Sequence, residues 1–366
     1  MANIIKAMVC PCILLCATAT AFAQDVKVHL DEAGTLESKI ERSRYDQIKK
    51  LTVSGYVNTI DINEISNMDY LEVLDLTDAT ILATGTSGEN NTIGKNYFAN
   101  CEMRTLMLPN TLLYIENNAF DYAPDLESIR IGDNLISISD QALVNPPSLY
   151  GHSTRTRANL KEFTVSEKNK NFCAVDGVLY SKDMSTLLFY PNKKAKTYSV
   201  PEGVTSIRAR AFSWCTDLLE ISLPESLEEI GASAFECCNH LLSVTSYNPV
   251  PPTTESELFY KASTETCVLY VPEGSYSAYW MAPGWGVFDN IVEIDPTAIE
   301  AAPCTEATVR CIEGGMEITT AEAGAQVQVY TAGGTLAYSG KGGRVMLPAG
   351  AYIVKAGGSA QKVLVE

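Results

Sequence analysis

The amino-acid sequence predicts a solenoid of short parallel strands followed by a small all-β sandwich, on three observations. A unit of about 23 residues recurs through the middle of the chain, each unit holds one short alternating apolar run, and the composition changes past Asp295 to Ala, Gly, Val and Thr. A fixed period of this length marks a stacked repeat architecture.

The period is read from aligned positions. Phe212 recurs as Phe235, Cys215 as Cys238, Leu218 as Leu241 and Ile221 as Val244, all 23 residues apart. Earlier, Phe98 is followed by Phe120 at 22, with Leu143 in the equivalent place 23 further on. Each unit carries L-x-x-I-x-L or a relative of it, as in Leu71-Leu74-Leu76, Met103-Leu106-Leu108, Leu126-Ile129-Ile131, Leu160-Phe163-Val165, Leu218-Ile221-Leu223 and Leu241-Val244-Ser246. Alternation at the end of the motif puts one residue inward and the next outward, the signature of a strand. Pro109, Gly132 and Pro224 then turn the chain. The phenylalanine belongs to the opposite wall, and stacking aligns these side chains into a continuous ladder that one coil alone could not bury. The expected product is a single sheet of parallel strands, curved into an arc.

Between Asn145 and Tyr198 the period lengthens to 34 and then 35 residues, from Ile131 to Val165 and from Val165 to Val200. The insert reads as a hairpin, VLYS and TLLFYP about a turn at Lys182-Asp183. After the last repeat, V-P-E-G of Val200 to Gly203 returns at Val271 to Gly274. Tyr276, Tyr279, Trp280, Trp285 and Phe288 follow and are expected to cover the end of the core as a cap, an aromatic ligand site being the sharper alternative. Residues 24–50 are expected to form the N-terminal cap, with SKIERSRYDQIKKLTV as a helix leading into the first strand, and 51–294 the solenoid with its C-terminal cap.

Residues 1–23 read as a signal peptide: Lys6, an apolar run from Ala7 to Ala19, and Ala21-Phe22-Ala23 before Gln24. A lipoprotein signal is the competing reading, with Cys16 closing Leu14-Leu15-Cys16. The run is short for a membrane span and no later stretch reaches the roughly 20 residues a spanning helix needs. The mature chain is therefore expected to be exported, secreted or outer-membrane and cell-surface, with the periplasm also open. Its formal charge of -17 repels phosphate and argues against nucleic acid. Eight of the eleven cysteines fall after the signal, and no C-x-x-C or Cys/His cluster has zinc spacing, so no metal and no cofactor is expected.

The A-F-x-x-C-x-x-L-x-x-I-x-L-P unit, the DGVLYSKD hairpin and VPEG before a terminal tryptophan segment resemble the BspA-like leucine-rich-repeat family over about residues 51–294. The resemblance implies a leucine-rich-repeat solenoid. It also implies a binding role on a secreted or surface protein, several members being implicated in adhesion to host matrix proteins or to other bacteria. It transfers no ligand residues.

Residues 295–306 read as a linker and 307–366 as a small β-sandwich of short alternating strands broken by Gly pairs. VQVYTAGGTLAY, LPAGAYIVK and QKVLVE are similar to the C-terminal domains that direct cargo to type IX secretion. Glu366 departs from that pattern, standing where a basic residue is usual, and leaves a retained β-sandwich module as the other reading. Cys304 and Cys311 flank one strand start, where geometry decides whether they pair.

His29, His152 and His240 stand in no recognised nucleophile setting, and G-x-S-x-G, the P-loop and H-E-x-x-H are missing, so no enzyme is expected. The candidate binding surface is the outward strand face: Val73, Asp75, Thr105, Met107, Ser128, Arg130, Glu162, Thr164, Glu220, Ser222, Ser243 and Thr245. Expected partners are a host or bacterial surface protein, or a glycan. A structural, envelope-organising module without a soluble ligand is the alternative, and a hydrolase with an unfamiliar carboxylate site the third.

Overall fold

The computed structural model describes residues 24–84, 89–98, 101–120, 123, 125–143, 159–254, 257–294, 307–312, 314–320, 325–331, 336–348, 350–356 and 359–365. The expected signal peptide, the 295–306 linker and Cys304 lie outside them.

The alternating runs form strands that stack in parallel, as coils of this length require. Gln24–Leu30, Ile48–Val57, Val73–Asp75, Thr105–Met107, Ser128–Ile131 and Glu162–Val165 pair in that order, with Ala79–Ile81 joining the far end of Ile48–Val57. Thr197–Ser199, Glu220–Leu223, Ser243–Ser246, Val268–Pro272 and Asn290–Ile294 make a second front sheet, again all parallel. The front wall is thus two sheets, where the repeat alone predicts one.

The insert explains the break. Phe172–Val175, Val178–Ser181 and Thr186–Phe189 form an antiparallel meander, which contains the expected hairpin and a second, tighter one. That second turn uses Asp176 and Gly177 with φ of 47° and 74°, the left-handed pair a two-residue hairpin turn demands. The meander is buried on both faces. Phe172, Ala174, Leu179, Leu188 and Phe189 pack into the core of the first half, while Cys173, Val175, Val178, Tyr180, Leu187 and Tyr190 pack into that of the second. It therefore partitions the solenoid into two hydrophobic cores, and its continuous apolar sequence follows from being covered on both sides.

The rear wall continues the same logic. Thr92–Ile93, Tyr114–Ile115 and Ser137–Ile138 pair in parallel behind the first front sheet. Behind the second, the meander leads into Ser206–Ile207, Glu229–Ile230 and Thr253–Thr254. The phenylalanines stack between the walls: Phe98 on Phe120 at 5.7 Å, and Phe212 on Phe235 and Phe235 on Phe259 at 5.1 Å each. The F-x-x-C spacing has a cause here, because Cys238 Sγ donates to the carbonyl of Phe212 in the preceding coil at 3.1 Å. Two residues before each ring the backbone is left-handed, at Asn96, Asn118, Arg210, Ser233 and Glu257. This corner turns amides toward the next coil, as in Asn96 N–H to the Asn118 carbonyl at 2.9 Å and Arg210 N–H to the Ala232 carbonyl at 3.1 Å.

Both ends are closed. At the N-terminal end the expected helix is broken into one turn at Leu36–Lys39 and a 3-10 segment at Arg42–Gln47. The buried Asp61 of the Thr59–Ile65 helix accepts the amides of Gly34 (2.6 Å), Leu36 (3.0 Å) and Asn58 (3.0 Å). At the other end Tyr279, Trp285 and Phe288 are buried, and Trp285 Nε1 donates to the Pro252 carbonyl at 2.9 Å. Tyr276 and Trp280, expected in the same cap, are instead 45% and 59% exposed on the single-sided helix Tyr276–Met281. Within residues 307–365, two antiparallel sheets of three and four strands enclose Met316, Ile318, Val327, Val329, Val354 and Val363, a small β-sandwich.

Candidate binding surface

Parallel pairing without a register shift places equivalent residues of successive coils side by side, about 4.8 Å apart. On the first front sheet this yields two outward columns: Lys50, Val73, Thr105, Ser128 and Glu162, and beside it Thr52, Asp75, Met107, Arg130 and Thr164. On the second sheet the columns are Thr197, Glu220, Ser243, Val268 and Asn290, and Ser199, Ser222, Thr245, Tyr270 and Val292. All twelve residues expected on the strand face lie in these columns, eight on the first sheet and four on the second. Glu162, Thr164 and Glu220 are exposed; the other nine are half-buried because each is flanked by its neighbours in the column.

Lys50, Thr52, Thr197, Ser199, Val268, Tyr270, Asn290 and Val292 extend the faces beyond the sequence expectation. A signal for the last coils existed: the VPEG repeat aligns Ser199 with Tyr270 and Thr197 with Val268, as the pairing confirms through Ser222 and Glu220. The consequence is chemical. The column Ser199, Ser222, Thr245 ends in Tyr270 and Val292, the latter 42% exposed, while the other column passes Val268 and ends in the exposed Asn290, so this face carries an apolar, aromatic patch over its last coils beside a hydroxyl-rich stretch.

Charges line the edge where the chain enters the first sheet. Lys49 Nζ lies 2.6 Å from Glu72, Arg104 3.7 Å and Lys161 2.9 Å from Glu127, so cations and carboxylates alternate coil by coil. The Lys49 hydrogen bond, and then its charge, hold the Glu72 carboxyl below its ordinary value. Such exposed pairs contribute little stability each, and they give this edge a patterned field. On the face itself Ser128 Oγ donates to Glu162 at 3.2 Å, Asp75 accepts the Thr77 amide at 3.0 Å, and Arg130 reaches Asn110 at 3.5 Å. Among the described residues no group of three or more His, Cys, Asp or Glu is placed to hold a metal ion, and no helix is long and apolar enough to cross a membrane.

Residues 91–166 and 182–272 match the family model of the BspA-type leucine-rich-repeat region, in six copies. These two segments of the solenoid are BspA-type leucine-rich repeats. No curated protein matches the chain. Among solved structures, a leucine-rich repeat protein from Eubacterium ventriosum is 19% identical, with 63% of this chain and 67% of that one covered and a TM-score of 0.38. A leucine-rich cell surface protein from Faecalibacterium prausnitzii is 16% identical, with 77% and 86% covered and a TM-score of 0.39. The pneumococcal vaccine antigen PcpA is 17% identical, with 68% and 80% covered and a TM-score of 0.31. The BspA-type model carries the assignment; these remote likenesses add no argument to it.

Proposed function

We propose that the chain is an exported, non-catalytic surface protein that holds a protein partner against the outward columns of its two front sheets. The observation that carries the reading is the second face, where the hydroxyl column Ser199, Ser222, Thr245 ends in Tyr270 and Val292 with Val268 beside Tyr270: tyrosine beside aliphatic side chains is the composition of an interface anchor, and the polar residues around it, Ser243, Thr245 and Asn290, supply a rim. The signal-like segment 1–23 and the BspA-type repeats support export and binding. The 307–366 module is read with it as the part that sorts or attaches the chain at the surface, on its likeness to type IX sorting domains.

Immobilised host matrix proteins and whole bacterial cells, offered to the mature chain, test the reading. Binding to at least one is expected, and Tyr270→Ala combined with Arg130→Glu should weaken it by roughly tenfold or more, the loss typical of an interface anchor. Equal binding by the variant would remove the faces from the account.

A further inference from the structure

A cavity of about 450 Å³ opens on the first half of the solenoid, away from the strand faces, between the start of the Thr59–Ile65 helix and the turns that follow the rear strands Thr92–Ile93 and Tyr114–Ile115. It continues into a shallower groove through Lys95 and Glu116, which line both.

Three features set this cavity apart from the rest of the surface. Tyr97, one of its walls, is 9% exposed, and among the described residues its hydroxyl has no hydrogen-bond partner. The ring is held by an edge-on contact with Phe98 at 5.2 Å. A buried hydroxyl left without a partner is costly and rare in folded proteins. Burial, and then the charge of Asp61, push the Tyr97 hydroxyl well above its ordinary value, so it stays a neutral hydroxyl that can donate a hydrogen bond or accept one. Second, Glu89, Lys95 and Glu116 surround the cavity, and among the described residues none of the three is in an ion pair, whereas the charges of the neighbouring ladder are paired coil by coil. Third, Gly94 stands in the wall with an ordinary backbone, and a Cβ there would lie 3.4 Å from the Glu116 carboxylate. That is an ordinary contact, so a larger side chain can stand at this position and would narrow the cavity.

We propose that this cavity binds a neutral saccharide unit. Carboxylates accept from paired hydroxyls, lysine and tyrosine donate to ring and hydroxyl oxygens, and Leu82, Ala83 and the Tyr97 ring offer apolar surface to the carbon face of a sugar. Two carboxylates against one lysine select against acidic sugars. The site is independent of the strand faces and stands or falls without them.

The test uses the full mature chain titrated with glucose, galactose, mannose, N-acetylglucosamine, N-acetylgalactosamine and sialic acid, followed by saturation-transfer NMR and calorimetry. At least one neutral sugar should bind with a dissociation constant on the order of 1 mM, and sialic acid should not. Tyr97→Phe should weaken that binding about three- to tenfold, the worth of one hydrogen bond. Gly94→Val, which keeps an unstrained backbone and fills the mouth, should abolish it, and Arg130→Glu on the strand face should leave it unchanged. Circular dichroism and thermal melts establish that each variant folds. Failure of every neutral sugar to bind, preference for sialic acid, or binding indifferent to both Tyr97→Phe and Gly94→Val overturns the proposal.

Discussion

Replacing Phe235 by alanine probes the stacking on which the fold rests. Its side chain is wholly buried and sits between Phe212 and Phe259, each ring centroid 5.1 Å away and close to parallel. Removing a buried phenylalanine side chain destabilises by about 3 to 5 kcal/mol, from lost transfer energy and the cavity left behind. Part of that, about 0.5 to 1.5 kcal/mol per ring pair, is specific aromatic contact and should be recovered as coupling in a Phe212→Leu, Phe235→Leu double-mutant cycle. Urea unfolding followed by circular dichroism gives the total, and native-state hydrogen exchange gives its location. Because the meander partitions the cores, Phe235→Ala should lower protection at Ile221 and Val244 while Leu74, Leu106 and Ile129 keep theirs. A loss under about 1 kcal/mol would refute the stacking argument. Equal loss of protection on both sides of the meander would refute the partition.

Burial pushes the Cys101 and Cys267 thiols up to about 12. Thiolate is the reactive form, so at pH 8 iodoacetamide should label both more than about a hundredfold more slowly in the folded chain than in urea, read by peptide mass spectrometry; comparable rates would show that the coils open readily. Asp183, in the meander turn, accepts from Ser181 Oγ at 2.6 Å, and from the Ser185 amide at 3.1 Å and hydroxyl at 2.9 Å, which hold its carboxyl below the usual range. A depressed folded value contributes stability that is complete above the unfolded value of about 3.9 and is lost as pH falls through the folded one. Asp183→Asn should therefore be less stable than wild type at pH 7 and approach it at pH 2; a gap that persists in acid would contradict the assignment.

Much of the solenoid was legible because a buried position that recurs every coil leaves a mark in every coil. Phe212 and Phe235, Leu218 and Leu241, Ile221 and Val244 each face the same environment one coil apart, and the same reasoning located the twelve outward residues between them. The partition was not legible. Phe172 to Phe189 reads as a hairpin because strand alternation reports one buried face, and here both faces are buried, by two different cores. Nor was the strand Gln24–Leu30, which supplies a further coil where a helical cap was expected, since Val26, Val28 and Leu30 alternate over too few residues to outweigh the charged stretch after them. Tyr270 was missed for a similar reason: the last coils lose the full L-x-x-I-x-L motif and keep only VPEG. The Tyr97 cavity has no sequence signature at all, because Thr59, Lys95, Tyr97 and Glu116 meet only when two walls and a helix start are brought together.

The most direct test of the binding account maps contact rather than affinity. Photoreactive benzoylphenylalanine placed at Arg130 or Tyr270 on the front sheets, or at the exposed Glu229 on the rear wall, reports what lies against each position when the mature chain is bound to cells or matrix. Crosslinks to one protein from positions 130 and 270, and none from 229, are the predicted result. Crosslinks from 229 with silence at 130 and 270 would contradict it.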